Sequence, residues 1–176
     1  MYKDKQAFLS LYEPVERQIS NYCRALAGNE QAACDLLQDT LLAALENFSQ
    51  LKKPESFLFF LIGIAKRIYL KQLRRNKLIG DIEKIDLEHY TITNTAETGL
   101  ENEMLYMAIN QLPMEQREAL VMFEIMGFSL KEIQDYQGGS LSGVKSRIVR
   151  ARQKLAEMLT GPKKEVVVIT HKTNLL

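Results

Sequence analysis

Tryptophan is absent from this sequence of 176 residues, and glycine and proline number only nine and four. Because glycine and proline interrupt helices, their scarcity removes the main local obstacles to helix formation. Helix formers such as Leu, Ala, Glu, Lys and Gln are frequent instead, so we predict an all-α chain. The hydrophobic fraction of 46% is enough for one ordinary domain or for two small ones.

Cysteine and histidine are also scarce, with two of each, and their positions argue against a metal site or a cofactor. Cys23 and Cys34 lack CxxC spacing, and His89 and His171 stand alone in polar stretches. We predict that both cysteines are buried and reduced. The longest apolar stretch, residues 57–65, is too short to span a bilayer, and no signal-peptide core follows the N-terminus. We therefore expect a soluble cytoplasmic protein without membrane insertion.

The net charge is only +1, but the basic residues are unevenly distributed. Two stretches, Lys66 to Lys77 and Lys145 to Lys154, contain several basic residues and no acidic ones. Two separate basic stretches in a nearly neutral chain predict two separate anion-binding surfaces.

Apolar spacing and helix-boundary residues predict two groups of helices. The first group covers residues 4–27, 30–47 and 57–77, and Pro14 is expected to kink or split its first helix. Residues 80–99 are acidic and have weak helical periodicity. This composition predicts a flexible linker, with a short strand or turn as the alternative.

The second group of helices follows the linker, over residues 100–111, 113–127, 129–137 and about 140–159. Beyond these helices, the β-branched run at 166–170 is compatible with a strand, a mobile tail or a docking segment.

The last two predicted helices form a helix-turn-helix. A capping box, Ser129 to Glu132, begins the first, Gly138–Gly139 provides the turn, and Ser140 or Ser142 caps the second. Such a second helix fits the major groove of DNA, where its first turns reach base edges, although a solvated helix on a bundle is the alternative. Its basic face contains Lys145, Ser146, Val149, Arg150 and Arg152, and its core-facing stripe contains Ile148, Ala151, Leu155 and Leu159.

Four segments of the second half resemble region 4 of the extracytoplasmic-function (ECF) sigma factors. They are Leu112–Arg117, Gly127–Ile133, Gly143–Arg147 and Arg150–Leu155. The family patterns are roughly LPxxQR, GxSxxEIA and GTVKSRxxRAxxxL, and the four segments resemble them in that order and at this spacing. The chain departs from them at Gln134, where Ala is usual, at Gly139, where an apolar residue is usual, and at Gly143, where Thr is usual.

The first half resembles region 2 of the same family. Ala33–Leu42 is similar to AxDLxQExF, and Phe57–Lys66 is similar to FxxWLxxIAR. The chain departs from the family at Phe60, where Trp is usual, at Arg67, where Asn is usual, and at Lys71, where Asp is common. The change at Arg67 falls where relatives hold an unstacked promoter base.

The resemblance implies a sigma factor, a subunit without enzymatic activity that binds core RNA polymerase and directs promoter-specific initiation. It also implies an anti-sigma factor as a partner. The implied organisation is region 2 over residues 1–77, a linker over 78–100, a region 4 helix-turn-helix domain over 101–160, and a C-terminal tail over 161–176.

The resemblance further implies three sets of site residues. The set that binds core polymerase is Asp35, Leu36, Gln38, Asp39 and Leu42. The set for the minus-ten element and the melted strand is Leu51, Lys52, Lys53, Lys66, Arg67, Lys71, Arg74 and Arg75, with Phe57, Phe59 and Phe60 as aromatic residues that either stack on bases or belong to the core. The set for the minus-thirty-five element is Lys145, Ser146, Arg147, Val149, Arg150 and Arg152.

Two other functions are compatible with parts of the sequence. A stand-alone helix-turn-helix regulator accounts for the second half but leaves the resemblance of the first half as coincidence. An enzyme, for example a helical nucleotidyl hydrolase, would have to use Asp35, Asp39 and Glu46. These acids have no metal-ligand companion and no phosphate-binding glycine loop nearby, so we predict no catalytic residues.

Overall fold

The computed structural model describes residues 2–80 and 97–160, and it describes side chains over 5–76 and 104–160. These ranges contain helices and short turns without any strand, which confirms the predicted all-α fold. The α-helices are α1 (Tyr2–Tyr12), α2 (Glu16–Ala27), α3 (Glu30–Glu46), α4 (Phe57–Gly80), α5 (Glu97–Asn110), α6 (Met114–Leu120), α7 (Leu130–Gln137) and α8 (Leu141–Thr160).

Parts of the predicted organisation lie outside the described residues. Helix α4 extends to Gly80 and α5 begins at Glu97, so each helix reaches into the predicted linker at 78–100. The rest of that linker and the C-terminal tail with its β-branched run are not among the described residues. No helix within the described ranges is both long and apolar enough to cross a membrane.

Local residues determine where the helices of the first half begin and end. Pro14 lies in the 3-10 turn Glu13–Val15, which splits the first predicted helix into α1 and α2. Gly28 ends α2 with a φ of 81°, a conformation that strains other residues. Asn29 then caps α3, because its side-chain oxygen accepts a hydrogen bond from the Ala32 N–H at 2.9 Å.

Helices α2, α3 and α4 pack on one another and form the core of the first half. Phe8 of α1 closes one end of this core, with its ring edge-on to Phe48 and Phe57 at centroid distances of 5.4 and 5.3 Å. The fully buried side chains include Ile19, Tyr22, Leu26, Leu36, Leu61 and Ile62. Each large apolar side chain buried in this way contributes about 1.5–3 kcal/mol.

The two cysteines differ in burial, so the prediction for them is half correct. Cys23 is buried, and burial raises the pKa of its thiol to about 12. Cys34 is exposed, contrary to expectation, because the buried stripe of α3 consists of Ala33, Leu36, Thr40 and Ala44 and turns Cys34 toward solvent.

The second half is built from α5 to α8. Helix α6 continues through a π-helical turn, Val121–Ile125, and the predicted capping box is present at the start of α7. Its Ser129 N–H donates to the Glu132 carboxylate at 2.8 Å, and these contacts with Ser129 lower the pKa of Glu132. At the start of α8, Ser140 rather than Ser142 acts as the cap, since its hydroxyl accepts from the Gly143 N–H at 3.1 Å.

The buried stripe of α8 differs from the prediction at its end. Val144, Ile148, Ala151 and Leu155 are buried, but Leu159 is 47% exposed and does not belong to the core. Apolar spacing alone placed Leu159 on that stripe, but every residue of α8 from Ala156 to Thr160 is exposed.

The two halves pack against each other through α2, which contacts both α5 and the π-helical turn. The buried apolar residues of both halves form one continuous cluster. Gln18 of α2 donates to the Met126 backbone carbonyl at 2.9 Å, which adds a polar contact at this junction.

Candidate nucleic-acid interface

The predicted helix-turn-helix is formed by α7, the glycine turn and α8. Gly138 and Gly139 have φ values of 77° and 86°, which explains why this tight turn uses glycine. Gln134 of α7 donates to the Gly139 carbonyl at 2.9 Å and fixes the turn to the preceding helix.

The first turns of α8 present the predicted DNA-reading residues to solvent. Lys145, Ser146 and Arg150 are exposed, and Val149 between them is 48% exposed. Among the residues that the structure describes, Lys145 and Arg150 have no acidic partner, so their charges are available to an anion. These side chains fit a reader of base edges and phosphates in a major groove.

The other two basic residues of this set are held by the protein itself. Arg147 is half-buried, with its Nε 3.3 Å from a Glu115 carboxylate oxygen and its Nη1 3.3 Å from the Gln137 side-chain oxygen. Arg152 pairs with Glu124 and lies over the ring of Phe123. Both arginines therefore attach α8 to neighbouring elements, Arg147 to α6 and α7 and Arg152 to the π-helical turn.

The basic end of α4 forms a second exposed surface. Four of the predicted residues follow i, i+4, i+7, i+8 spacing and are exposed along one face: Arg67, Lys71, Arg74 and Arg75. Arg67 and Lys71 line an open groove between α3 and α4, whose floor is apolar and includes Ala43, Ile64 and Ile68.

The loop before α4 adds charge to the first half. Lys52 and Lys53 are exposed between two 3-10 turns, whereas Leu51 is half-buried and packs against the core. The structure thus separates the apolar member of this predicted trio from its two cationic neighbours.

Lys66 differs from the other basic residues of α4, because it lies on the side of the helix that faces the second half. Its ammonium lies 2.8 Å from a carboxylate oxygen of Glu118 and 5.6 Å from the ring centre of Tyr136. The structure therefore does not group Lys66 with the exposed face of α4.

None of the three candidate aromatic residues is an open stacking platform in this conformation. Phe57 is buried in the core, and Phe60 is half-buried beside it. Phe59 is half-buried against the second half, with its ring centre 4.9 Å from that of Phe128 and 5.7 Å from that of Tyr136.

The predicted polymerase-binding face lies on α3. Asp35, Gln38, Asp39 and Leu42 are exposed on it, and Leu42 is 59% exposed. Leu36 does not share this face: it is only 1% exposed and belongs to the core, so its place in the set is corrected.

An apolar groove beside this face was missed by the sequence analysis. Leu42 and Leu45 of α3 line it together with Leu9 of α1, which is 52% exposed. Phe8 and Leu9 are adjacent apolar residues of one helix, and adjacent helical residues point in different directions, so both cannot enter the same core. This pair was the signal in the sequence for an exposed apolar side chain.

The sequence analysis also missed a buried carboxylate, Glu118. It is only 1% exposed and accepts hydrogen bonds from Tyr22, Lys66, Tyr136 and Gln137. Burial, followed by the nearby carboxylate, raises the pKa values of both tyrosines, which therefore remain protonated donors. The position of one acid beside the apolar run Ala119–Met122 was its only sequence signal.

Comparison with known families and structures assigns the two halves separately. The Sigma-70 region 2 family matches residues 11–79, and the Sigma-70, region 4 family matches residues 102–155. Both matches fall on the halves whose helices carry the exposed basic faces.

Similar proteins agree with these matches. The ECF RNA polymerase sigma factor EcfG of Rhodopseudomonas palustris (strain TIE-1) is 32% identical over 139 residues, which cover 77% of this chain and 75% of that protein. The ECF RNA polymerase sigma factor SigM of Mycobacterium tuberculosis is 30% identical over 159 residues, or 89% and 79% of the two chains. The sigma factor RpoE of Bartonella quintana, crystallised with the anti-sigma factor NepR, matches with a TM-score of 0.70 and 25% identity, over 93% of this chain and 100% of that chain.

Proposed function

This chain belongs to the extracytoplasmic-function family of RNA polymerase sigma factors, and on that basis we propose which of its surfaces bind core polymerase, the minus-ten element and the minus-thirty-five element. The chain binds core RNA polymerase and directs promoter-specific initiation, and it is not an enzyme. A stand-alone regulator is not favoured, because region 2 and region 4 both match in order. The proposed domain boundaries are 1–77 and 101–160, and the place of action is the cytoplasm, where core polymerase transcribes the chromosome.

Core polymerase binds the exposed face of α3. Asp35, Gln38 and Asp39 supply a polar rim, and Leu42 with the adjacent apolar groove supplies an apolar centre. Interfaces of this kind combine a dehydrated apolar centre with polar groups at the edge. Leu36 contributes only by supporting α3 from the core.

The minus-ten element and the melted strand bind the basic face of α4 together with Lys52 and Lys53. Holding a single strand requires phosphate neutralisation and a place for unstacked bases. Arg67 and Lys71 stand at the edge of the apolar-floored groove between α3 and α4, which fits an unstacked base with its phosphate at the rim. Arg74 and Arg75 extend the charged face along the same helix.

The minus-thirty-five element binds the first turns of α8. Lys145, Ser146 and Arg150 reach bases or adjacent phosphates, while Val149 offers an apolar contact. Arg147 and Arg152 hold the helix in place through their acidic partners, so their contribution to DNA binding is indirect.

The two DNA-binding surfaces act together only when polymerase holds the chain. Each surface is small, and the affinity of a few phosphate contacts is modest at physiological salt. Attachment of both to one polymerase makes the second contact intramolecular and raises its effective concentration. An anti-sigma factor is a further partner, because the fold matches that of a sigma factor crystallised with one.

The observation that carries this proposal is the pair of exposed basic surfaces, one in each half of the chain, on α4 and α8. Run-off transcription with purified core polymerase on a library of promoters tests it. We expect co-purification with core polymerase and initiation at a subset of promoters. Tight operator binding without polymerase would favour the stand-alone regulator, and a chain that neither binds core polymerase nor initiates would overturn the proposal.

A further inference from the structure

The groove between α3 and α4 has an apolar floor and a cationic rim. Ala43 of α3 and Ile64 and Ile68 of α4 form the floor, and Arg67 and Lys71 stand at the rim, four residues apart on one face of α4. The groove has a volume of about 270 Å³. Sites for drug-sized ligands typically have about 300–1,000 Å³, so this groove suits a ligand as small as a single ring system.

The polar groups at this groove offer hydrogen-bond donors to a ligand. The side-chain amide of Asn47, which also lines the groove, is bonded at both ends. Its Nδ2 donates to the Ala43 carbonyl at 2.8 Å, and its Oδ1 accepts from the Gln50 amide at 3.0 Å. Arg67 and Lys71 carry donors and no acceptor. A ligand that meets these two side chains must therefore supply acceptors.

The guanidinium of Arg67 is oriented by its own helix. Its Nε donates at 3.3 Å to the carbonyl of Gly63, one turn earlier, and the space beside Gly63 is open. Within residues 5–76 and 104–160 this is the only hydrogen bond of Arg67, so Nη1 and Nη2 are available to a ligand. These two nitrogens form a planar fork that fits two adjacent acceptors.

Guanine is the base whose major-groove edge matches such a fork. Its N7 and O6 are adjacent acceptors, whereas adenine has an amino donor in place of O6. On the same edge cytosine presents an amino donor, and thymine presents one acceptor beside a methyl group. The fork of Arg67 therefore forms two charge-assisted hydrogen bonds with guanine and at most one with each other base on this edge.

We propose that this groove selects guanine at one position of the melted minus-ten strand, with Arg67 bonded to N7 and O6 of the unstacked base and Lys71 bonded to its phosphate. This inference rests on the proposed function of α4 in binding that strand. The apolar floor covers a face of the ring, as apolar side chains do in other sites that hold an extruded base. Arg67 thus determines base specificity, and Lys71 contributes affinity without base preference.

Binding of the polymerase-bound chain to fluorescent single strands tests the selectivity. The strands carry the minus-ten element of a promoter from which the chain initiates, with each of the four bases placed in turn at every position. We expect one position at which guanine binds at least about fivefold more tightly than any other base, the smallest discrimination that a bidentate arginine–guanine pair gives. There, 7-deazaguanine, which lacks the N7 acceptor, loses this advantage, and inosine, which retains N7 and O6, keeps it.

Two variants separate base recognition from phosphate binding, and both change exposed side chains outside the core. Arg67→Lys keeps the charge but removes the fork, so the guanine preference disappears while the salt dependence of binding is retained. Lys71→Ala weakens binding to all four bases by the same factor and lowers the magnitude of the log–log salt slope by about 0.7. Arg17→Lys, the same chemical change at an exposed position of α2, is the matched control and leaves the preference unchanged.

A preference for another base that depends on Arg67, equal binding of guanine and 7-deazaguanine, or a guanine preference that survives Arg67→Lys would each overturn the inference. Equal weakening for all four bases in Arg67→Lys would overturn it too, because Arg67 would then be a phosphate contact. Initiation by the parent chain without any such base preference overturns this inference alone. Failure of the parent chain to bind core polymerase or to initiate overturns the proposed function as well.

Discussion

The guanidinium of Arg117 lies over the ring of Tyr69, 5.7 Å from its centre, and donates to the Tyr69 hydroxyl at 3.1 Å. The two residues come from α6 and α4, on opposite sides of the junction between the halves. The same guanidinium also donates to the backbone carbonyls of Leu26 and Leu112, at 3.3 and 3.1 Å. It also donates to the backbone carbonyl of Asn110, so one buried cation satisfies carbonyls at the ends of α2 and α5 and in the turn that follows α5. Carbonyls in the last turn of a helix have no partner within that helix.

We expect Arg117→Met to lower the free energy of unfolding by about 3 kcal/mol or more, because several buried acceptors lose a charged donor together. Thermal and urea denaturation monitored by circular dichroism measure the change. Arg17→Ala, at an exposed position of α2, is the control and is expected to change stability by less than about 0.5 kcal/mol. Equal stability of the Arg117→Met variant and the control would contradict a role for the guanidinium in joining the helix ends.

Two leucines of α3 give opposite expectations for the same substitution. Leu36→Ala removes a side chain that is 1% exposed, so we expect a loss of about 2–5 kcal/mol in unfolding free energy. Leu42→Ala changes a side chain that is 59% exposed, so the fold is retained while affinity for core polymerase falls by about 1–2 kcal/mol. Denaturation and polymerase pull-down together distinguish them, and unchanged polymerase affinity of Leu42→Ala would remove that residue from the interface.

The sequence predicted the helix limits well because the signals that fix them are local. Asn29, Ser129 and Ser140 each accept a backbone N–H three residues ahead, and Pro14 cannot continue a helix. The basic residues of α8 were also predictable, since helical spacing determines which side chains share a face.

The junction between the halves was not predictable in the same way. Glu118 is separated by 96 residues from Tyr22 and by 52 from Lys66, so no local pattern links them. The family resemblance and its charge grouped Lys66 with the DNA-binding residues of α4, whereas the structure turns it toward Glu118. Residue type likewise predicted burial of Cys34, but the orientation of α3 on its neighbours leaves it exposed.

The two thiols are expected to react at very different rates. The exposed thiol of Cys34 is accessible to a maleimide in the native chain, whereas Cys23 is covered and its pKa is raised to about 12. Mass spectrometry after brief labelling at neutral pH should find one modified cysteine without denaturant and two in denaturant. Native labelling of Cys23 would show that the first half opens readily.

Arg74→Ala tests the contact of α4 with a single strand. If Arg74 neutralises one phosphate, its removal lowers the magnitude of the log–log salt slope for binding single-stranded minus-ten DNA by about 0.7. Titrations at several salt concentrations with polymerase-bound chain measure the slope. Glu157→Gln, at an exposed position of α8, is the control, and an unchanged slope for Arg74→Ala would place this side chain away from the strand.

Arg150→Ala tests recognition of the upstream element. Arg150 is exposed on the reading face of α8 and has no acidic partner among the described residues, so its removal leaves the fold intact. A lost base or phosphate contact costs about 1–3 kcal/mol, so we expect initiation at promoters with a minus-thirty-five element to fall about tenfold or more. Binding to core polymerase should be unchanged, because the proposed polymerase-binding face lies on α3. Arg17→Ala provides a charge-matched comparison, and equal transcription by Arg150→Ala and the parent chain from the same promoter would remove Arg150 from the recognition surface.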